Sequence, residues 1–172
     1  MGHEEWDRLY VPHRMPYIRG DARPKDDQQG EHCPFCITQG ADDSLVVARG
    51  ASVFVVLNLF PYNPGHLLIC PYRHVADYTD LTDAERHELT VWQDRMLRVV
   101  RAASGPQGFN IGLNQGAVAG AGISGHLHVH VVPRWRGDAN FITTVGGTRT
   151  MVMLLEETRD LLAATLAELE LA

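Results

Sequence analysis

The stretch His126-Leu127-His128-Val129-His130-Val131-Val132 constrains this chain more than any other. Its side chains alternate strictly, and a β-strand has the matching period of two. A strand would send all three imidazoles to one face and Leu127, Val129 and Val131 to the other. The aliphatic face can seat the strand in a core, while the other becomes a row of imidazoles at roughly 7 Å intervals. Pro133 has no N–H to give a ladder, and is expected to end the strand.

Imidazole ionises near neutral pH, serves as nucleophile or general acid and base, and ligates metals. A three-histidine metal centre is therefore one reading of the triplet, since His-x-His on a strand can supply two zinc ligands. The preceding residues weigh against it. From Asn114 the chain reads Asn-Gln-Gly-Ala-Val-Ala-Gly-Ala-Gly-Ile-Ser-Gly, rich in glycine and without a carboxylate. Backbone N–H groups in such a run can approach an anion closely. A glycine-rich loop running straight into a histidine strand points to phosphate held where an imidazole can attack phosphorus.

The rest of the chain builds a domain around that strand. Leu45–Ala48 and Val53–Leu57 are apolar runs split by Arg49-Gly50-Ala51-Ser52, which predicts a hairpin. His66–Cys70 is a third strand, stopped by Pro71, and Gly108–Leu113 a fourth. Thr82-Asp83-Ala84-Glu85 has the form of a capping box. Leu89, Trp92, Met96, Val99 and Val100 follow it at helical spacing, so a helix is expected over Asp83–Ala102. A final helix is expected from about Thr150, marked by Met151, Leu154, Leu155, Leu161, Leu162, Leu166 and Leu169. Residues 20–30 are polar and aperiodic and read as a mobile loop behind an N-terminal arm. The expected fold is α+β, a five-stranded mainly antiparallel sheet with one long helix and a C-terminal helix.

A length of 172 residues suits one domain. The net charge of −6 argues against bulk nucleic-acid binding. No apolar run is long enough to span a membrane and no signal-type segment opens the chain, so a cytoplasmic protein is expected. Three cysteines make no disulfide framework. Cys33-Pro34-Phe35-Cys36 has the spacing of a zinc half-site. A redox dithiol and an unmetallated turn compete with that reading. Cys70, in an apolar strand, reads as a core thiol.

Taken together, these motifs resemble the histidine triad (HIT) superfamily of nucleotide hydrolases and transferases. His126–Val132 matches its His-x-His-x-His-x-x signature. Asn58-Leu59-Phe60-Pro61-Tyr62-Asn63-Pro64-Gly65-His66, continuing to Pro71-Tyr72-Arg73-His74, is similar to its second conserved region. The segment around Trp6–Ile18 and Pro133-Arg134-Trp135-Arg136-Gly137-Asp138-Ala139-Asn140-Phe141 resemble an actinobacterial branch associated with diadenosine tetraphosphate phosphorolysis. The resemblance sets residues 1–30 apart as arm and loop, and 31–172 as the HIT domain.

It implies that His128, the middle histidine, is the nucleophile, attacking an α-phosphate to give a nucleotidyl-histidine. For this the imidazole must be neutral, with its second nitrogen donating to a fixed acceptor such as a backbone carbonyl. His130 and His66 are implied beside it, meeting charge on oxygen; a turn role is the alternative for His66. Asn58 and Asn114 are implied as contacts to ribose or phosphate, with ordinary strand-end asparagines as the alternative. Gly120 and Gly122 belong to the phosphate loop. Trp135 either stacks on a base or anchors a core. The loop departs from the common pattern: Ala121 and Gly122 stand where Gln and Ser or Thr are usual, so backbone amides carry more of the recognition. Arg134 and Arg136 would add charge if turned inward.

For the metal, the resemblance adds His74 and His126 to Cys33 and Cys36 as a closed structural zinc site, with His32 competing for the place of His74. No organic cofactor, nucleic acid or membrane partner is implied. The expected substrate is an adenine nucleotide, with inorganic phosphate as acceptor. Hydrolysis of phosphoramidates or dinucleoside polyphosphates is an alternative, as is a zinc-stabilised nucleotide sensor. The fold of such proteins is half of a larger sheet, implying a homo-oligomer, dimer or tetramer. The Leu89–Val100 stripe would either meet that partner or cover its own sheet.

Overall fold

A computed structural model of the protein describes residues 33–37, 44–138 and 152–171. The N-terminal arm, the 20–30 loop, His32, the Ala139–Phe141 end of the motif after Pro133, and Thr150 and Met151 lie outside these residues. The sheet has five antiparallel strands: β1 (Val46–Arg49), β2 (Val53–Leu57), β3 (Leu67–Pro71), β4 (Gly108–Gly112) and β5 (Val129–Arg134). Their order across the sheet is β1-β2-β3-β5-β4. Among the described residues three α-helices accompany them: α1 (Pro34–Ile37), α2 (Asp83–Ser104) and α3 (Leu155–Leu171).

The long helix begins and ends where its sequence dictates. The Thr82 hydroxyl accepts the Glu85 N–H, and the Glu85 carboxylate accepts the Thr82 N–H at 2.8 Å. Gly105, at φ +58°, supplies the left-handed residue that closes the other end. The apolar stripe of α2 covers its own sheet. Leu89, Trp92, Met96, Val99 and Val100 are buried with Val53, Val55, Leu57, Leu67, Ile69, Leu127, Val129 and Val131. The stripe therefore gives no support to a partner across this helix. α3 adds Leu162 and Leu166 to the same core. It begins at Leu155, later than its apolar residues suggest, because Val152, Met153 and Leu154 are exposed and precede the first helical turn.

Two details of β5 differ from expectation. The ladder starts at Val129 rather than His126. Past the Ile69–Val129 pair, β3 ends in Pro71, which has no N–H to give. The Pro71 carbonyl instead accepts from the His126 ring at 2.9 Å, and the Leu127 N–H goes to the Val75 carbonyl at 2.7 Å. At the other end the strand runs through Pro133 to Arg134, paired with β4. Pro133 does not end it because its missing N–H faces the β3 side, beyond the last β3 pair; its carbonyl on that side takes the Asn63 amide at 3.0 Å. β4 closes at Gly112, one residue short of Leu113.

The alternation itself holds. Leu127, Val129 and Val131 enter the helix-side core. The opposite face carries Phe54, Val56, Leu68 and Cys70, packed against Cys33 and Phe35. Cys70 is fully buried there, a core thiol, and burial pushes its ionisation up. The histidines share this second face with the α1 segment.

Candidate active site and metal centre

β5 and the turn before β3 bring the histidines together. His128 is 6 % exposed, and its Nδ1 lies 2.8 Å from the His126 carbonyl oxygen. A carbonyl only accepts, so Nδ1 carries the proton and Nε2 keeps its lone pair. Phe35 packs against this ring, centroid to centroid 5.1 Å.

His66 is fully buried at the start of β3. Its Nδ1 accepts the Tyr62 N–H at 3.0 Å and lies 3.3 Å from the Asn58 amide nitrogen. Its proton is therefore on Nε2, which lies 2.9 Å from Nδ1 of His130. That donation makes Nδ1 of His130 an acceptor and places the proton of a neutral His130 on Nε2. The rings of His128 and His130 meet edge to face at 4.9 Å, and Tyr62 lies nearly parallel to His130 at 5.7 Å. His66, His128 and His130 thus form one cluster in which the backbone selects the tautomers of His66 and His128, and His66 that of His130.

The residues expected to contact nucleotide divide. Asn58 is tied into the turn, its side-chain oxygen accepting the Phe60 N–H at 3.0 Å, so it acts on His66. Asn114 is half-buried at the mouth of the glycine-rich loop. Gly116 and Gly120 adopt φ of +81° and +88°, a region that disfavours other residues, and flank a single 3-10 turn. The amides of Ala119, Gly120 and Ala121 bond back to carbonyls of that turn. They are not directed to an anion; Gly122–Ser124, the stretch before the histidines, is half-buried. Trp135 donates its indole N–H to the Ser104 carbonyl at 3.3 Å, anchoring the chain to the end of α2. Arg134 faces Asp138 and Asn110 rather than the loop.

A second constellation adjoins the first. One ligand atom from each of Cys33, Cys36, His74 and His126 lies within 4.8 Å of the others. Nδ1 of His126 is 3.4 Å from Cys33 Sγ and 3.5 Å from Cys36 Sγ; Nδ1 of His74 is 3.4 Å from Cys36 Sγ. Ordinary zinc–sulfur and zinc–nitrogen bonds at a tetrahedral angle give a sulfur–nitrogen separation of roughly 3.6 Å. His126 donates Nε2–H to Pro71, so Nδ1 turns a lone pair toward the sulfurs. Burial pushes the Cys33 thiol up to about 12; a bound cation would reverse that preference in favour of thiolate. The four residues fit a closed zinc site, with His74 in the fourth place.

Sequence reasoning missed Phe35 and Tyr62 as packing partners of the histidines, and the Asp77–Gln115 pair. Gln115 donates to Asp77 at 2.7 Å and accepts the Tyr78 N–H at 3.0 Å, fastening the root of the glycine-rich loop. Phe35 and Tyr62 sit inside recognised motifs, whereas nothing local to Asp77 signals its partner.

The HIT domain family matches residues 39–137 of the chain. AP-4-A phosphorylase of Mycobacterium tuberculosis is 49% identical over 165 residues, 93% of this chain and 84% of that protein. Bis(5'-adenosyl)-triphosphatase of Dictyostelium discoideum is 35% identical over 85 residues, 49% of this chain and 56% of that protein. A zinc-bound histidine triad family protein from Mycobacterium smegmatis superposes with a TM-score of 0.68 at 29% identity, covering 84% of this chain and 98% of that one.

Proposed function

The chain belongs to the histidine triad (HIT) family, and we propose that it is a nucleotidyl transferase that cleaves diadenosine tetraphosphate by phosphorolysis to ATP and ADP. The observation that carries the reading is the His128 tautomer: Nδ1–H is held on the His126 carbonyl at 2.8 Å, which leaves Nε2 as nucleophile. The similarity to the M. tuberculosis phosphorylase over most of both chains supports the substrate.

In the first step Nε2 of His128 bonds to an α-phosphorus, the bond to the bridging oxygen breaks, and ATP leaves. His130, with its proton on Nε2, is the donor suited to the charge on phosphoryl or leaving oxygen. In the second step orthophosphate displaces His128 from the adenylyl group, giving ADP and restoring the lone pair. Splitting one displacement into two makes each easier. Asn114 and the amides of Gly122–Ser124 are the proposed phosphate contacts.

Cys33, Cys36, His74 and His126 would hold zinc as a structural ion. Bound there, zinc supplies rigidity: it ties α1 to the residue whose carbonyl orients His128. The edge strand β4, whose Ile111 is 45% exposed, is the surface proposed for self-association.

Product analysis with and without orthophosphate tests the reaction. ATP plus ADP formed only with phosphate supports it. AMP formed equally in both makes the enzyme a hydrolase, and absence of any nucleotidyl-protein adduct or turnover makes it a nucleotide sensor.

A further inference from the structure

The motif running from Pro133 to Asp138 takes no part in the chemistry proposed above, yet it holds a carboxylate that accepts four hydrogen bonds. Asp138 accepts from Arg134 Nε at 2.6 Å, Arg134 Nη2 at 2.9 Å, the Trp135 N–H at 3.1 Å and the Asn63 amide at 2.7 Å. Its side chain is 11% exposed. The Arg134 guanidinium holds this carboxyl far below the usual carboxylate range, so it stays charged.

Asn63 is what this hub restrains. Its amide nitrogen bridges Asp138 and the Pro133 carbonyl. Its own carbonyl accepts the His66 N–H at 3.2 Å, across a turn with Pro64 second and Gly65 third at φ +72°. That is the residue order of a type II turn. Such a turn fixes the backbone but leaves its orientation against the sheet to other contacts. His66 then reaches His130 at 2.9 Å, and His130 lies three residues before Pro133 on β5. The contacts close a ring: β5 to Asn63, Asn63 to His66, His66 back to β5.

We propose that Asp138, acting through Asn63, is a positioning residue that sets the His66–His130 hydrogen bond and so the proton on Nε2 of His130. It touches neither imidazole. Arg134 serves the same end by holding the carboxylate charged and oriented, which explains why this cation faces away from the phosphate loop. The inference rests on the role given to His130 above, and its test separates the two.

Asn63→Ala, Asp138→Ala, the milder Asp138→Asn and the double alanine variant are compared with Arg98→Ala, which removes an exposed pair with Asp94. The primary readout is the ring-nitrogen NMR signature of His66 and His130 in nucleotide-free protein. Wild type should show single tautomers, and both alanine variants a mixture, while Arg98→Ala matches wild type. With diadenosine tetraphosphate and phosphate, kcat should fall about tenfold or more and KM stay within about threefold. The pH profile should shift with kcat, and the double variant should lose no more than the worse single. Asp138→Asn, which keeps an acceptor for Asn63, should recover most of kcat and stays informative if the alanine variants fold poorly. Unchanged tautomers in folded variants overturn the proposal, whether or not activity falls. If wild type does not turn over the dinucleotide, the NMR result still decides the positioning role, and only the proposed reaction fails.

Discussion

Glu85→Gln probes the link between the long helix and the metal centre. Glu85 is 5% exposed and accepts two bonds from Arg73, each 2.8 Å, while capping α2. Arg73 immediately precedes His74, so the pair anchors a candidate metal ligand to the helix. The Arg73 guanidinium, helped by the Thr82 bonds, holds the Glu85 carboxyl at about 2 against an ordinary 4.5. At about 1.4 kcal/mol per pH unit the full difference is worth roughly 3.5 kcal/mol. The Arg73 side chain is 53% exposed, and solvent screening leaves about 1.5 kcal/mol. Glutamine still completes the capping box, so the substitution isolates the charge. A carboxyl depressed in the folded state stabilises fully above its unfolded pKa and loses that contribution as pH falls toward its folded one. The variant should therefore be about 1.5 kcal/mol less stable at pH 7, with Tm lower by about 3–6 °C. The gap between the proteins should close between pH 5 and pH 2. Denaturant titrations of both proteins across that range measure it, and metal release in acid largely cancels in the difference. An equal gap at pH 7 and pH 3 would refute the assignment of the stability to this ion pair.

His128→Ala or His128→Asn should abolish turnover while nucleotide still binds, with a loss approaching the ~10⁶-fold seen for other nucleophile deletions; a residual rate above about a hundredth of wild type would assign the nucleophile elsewhere. Metal analysis of protein purified without chelators should find about one zinc per chain. Cys33→Ser should lower Tm far more than it raises KM, and protein free of zinc with unchanged stability would sink the structural-ion reading. Sedimentation at micromolar concentration should give at least a dimer; a monomeric mass rejects β4 as an association edge.

Much of the framework is legible because it rests on periodicity and local chemistry. Alternation places Leu127, Val129 and Val131 in the core, and the Thr82–Glu85 pattern announces a helix end that the fold reproduces. His66, His128 and His130, and the four Cys/His residues, come together where their motifs imply. What escaped depends on contacts between distant segments. The ladder begins at Val129 because Pro71, far away in sequence, withholds an N–H. Pro133 continues the strand because only the register shows which side its missing N–H faces. Arg134 is an attractive phosphate ligand until Asp138 and Asn110 claim it. The amides of the glycine-rich loop look available until the 3-10 turn bonds three of them to itself.

The proposed metal centre would also set an order of events during synthesis. Cys33 and His126 stand 93 residues apart. A ribosome adding ~5–20 residues per second delivers the second ligand on the order of 5–20 s after the first. Through that interval the two thiols have emerged while their imidazole partner is still being made. Closure must also bring together the ends of a long loop, an entropic barrier that pairing of β3 with β5 removes. Capture of the proposed ion would therefore come late, as the seal on a nearly folded chain, and a newborn chain short of that ion would stall with His128 in place but unsupported.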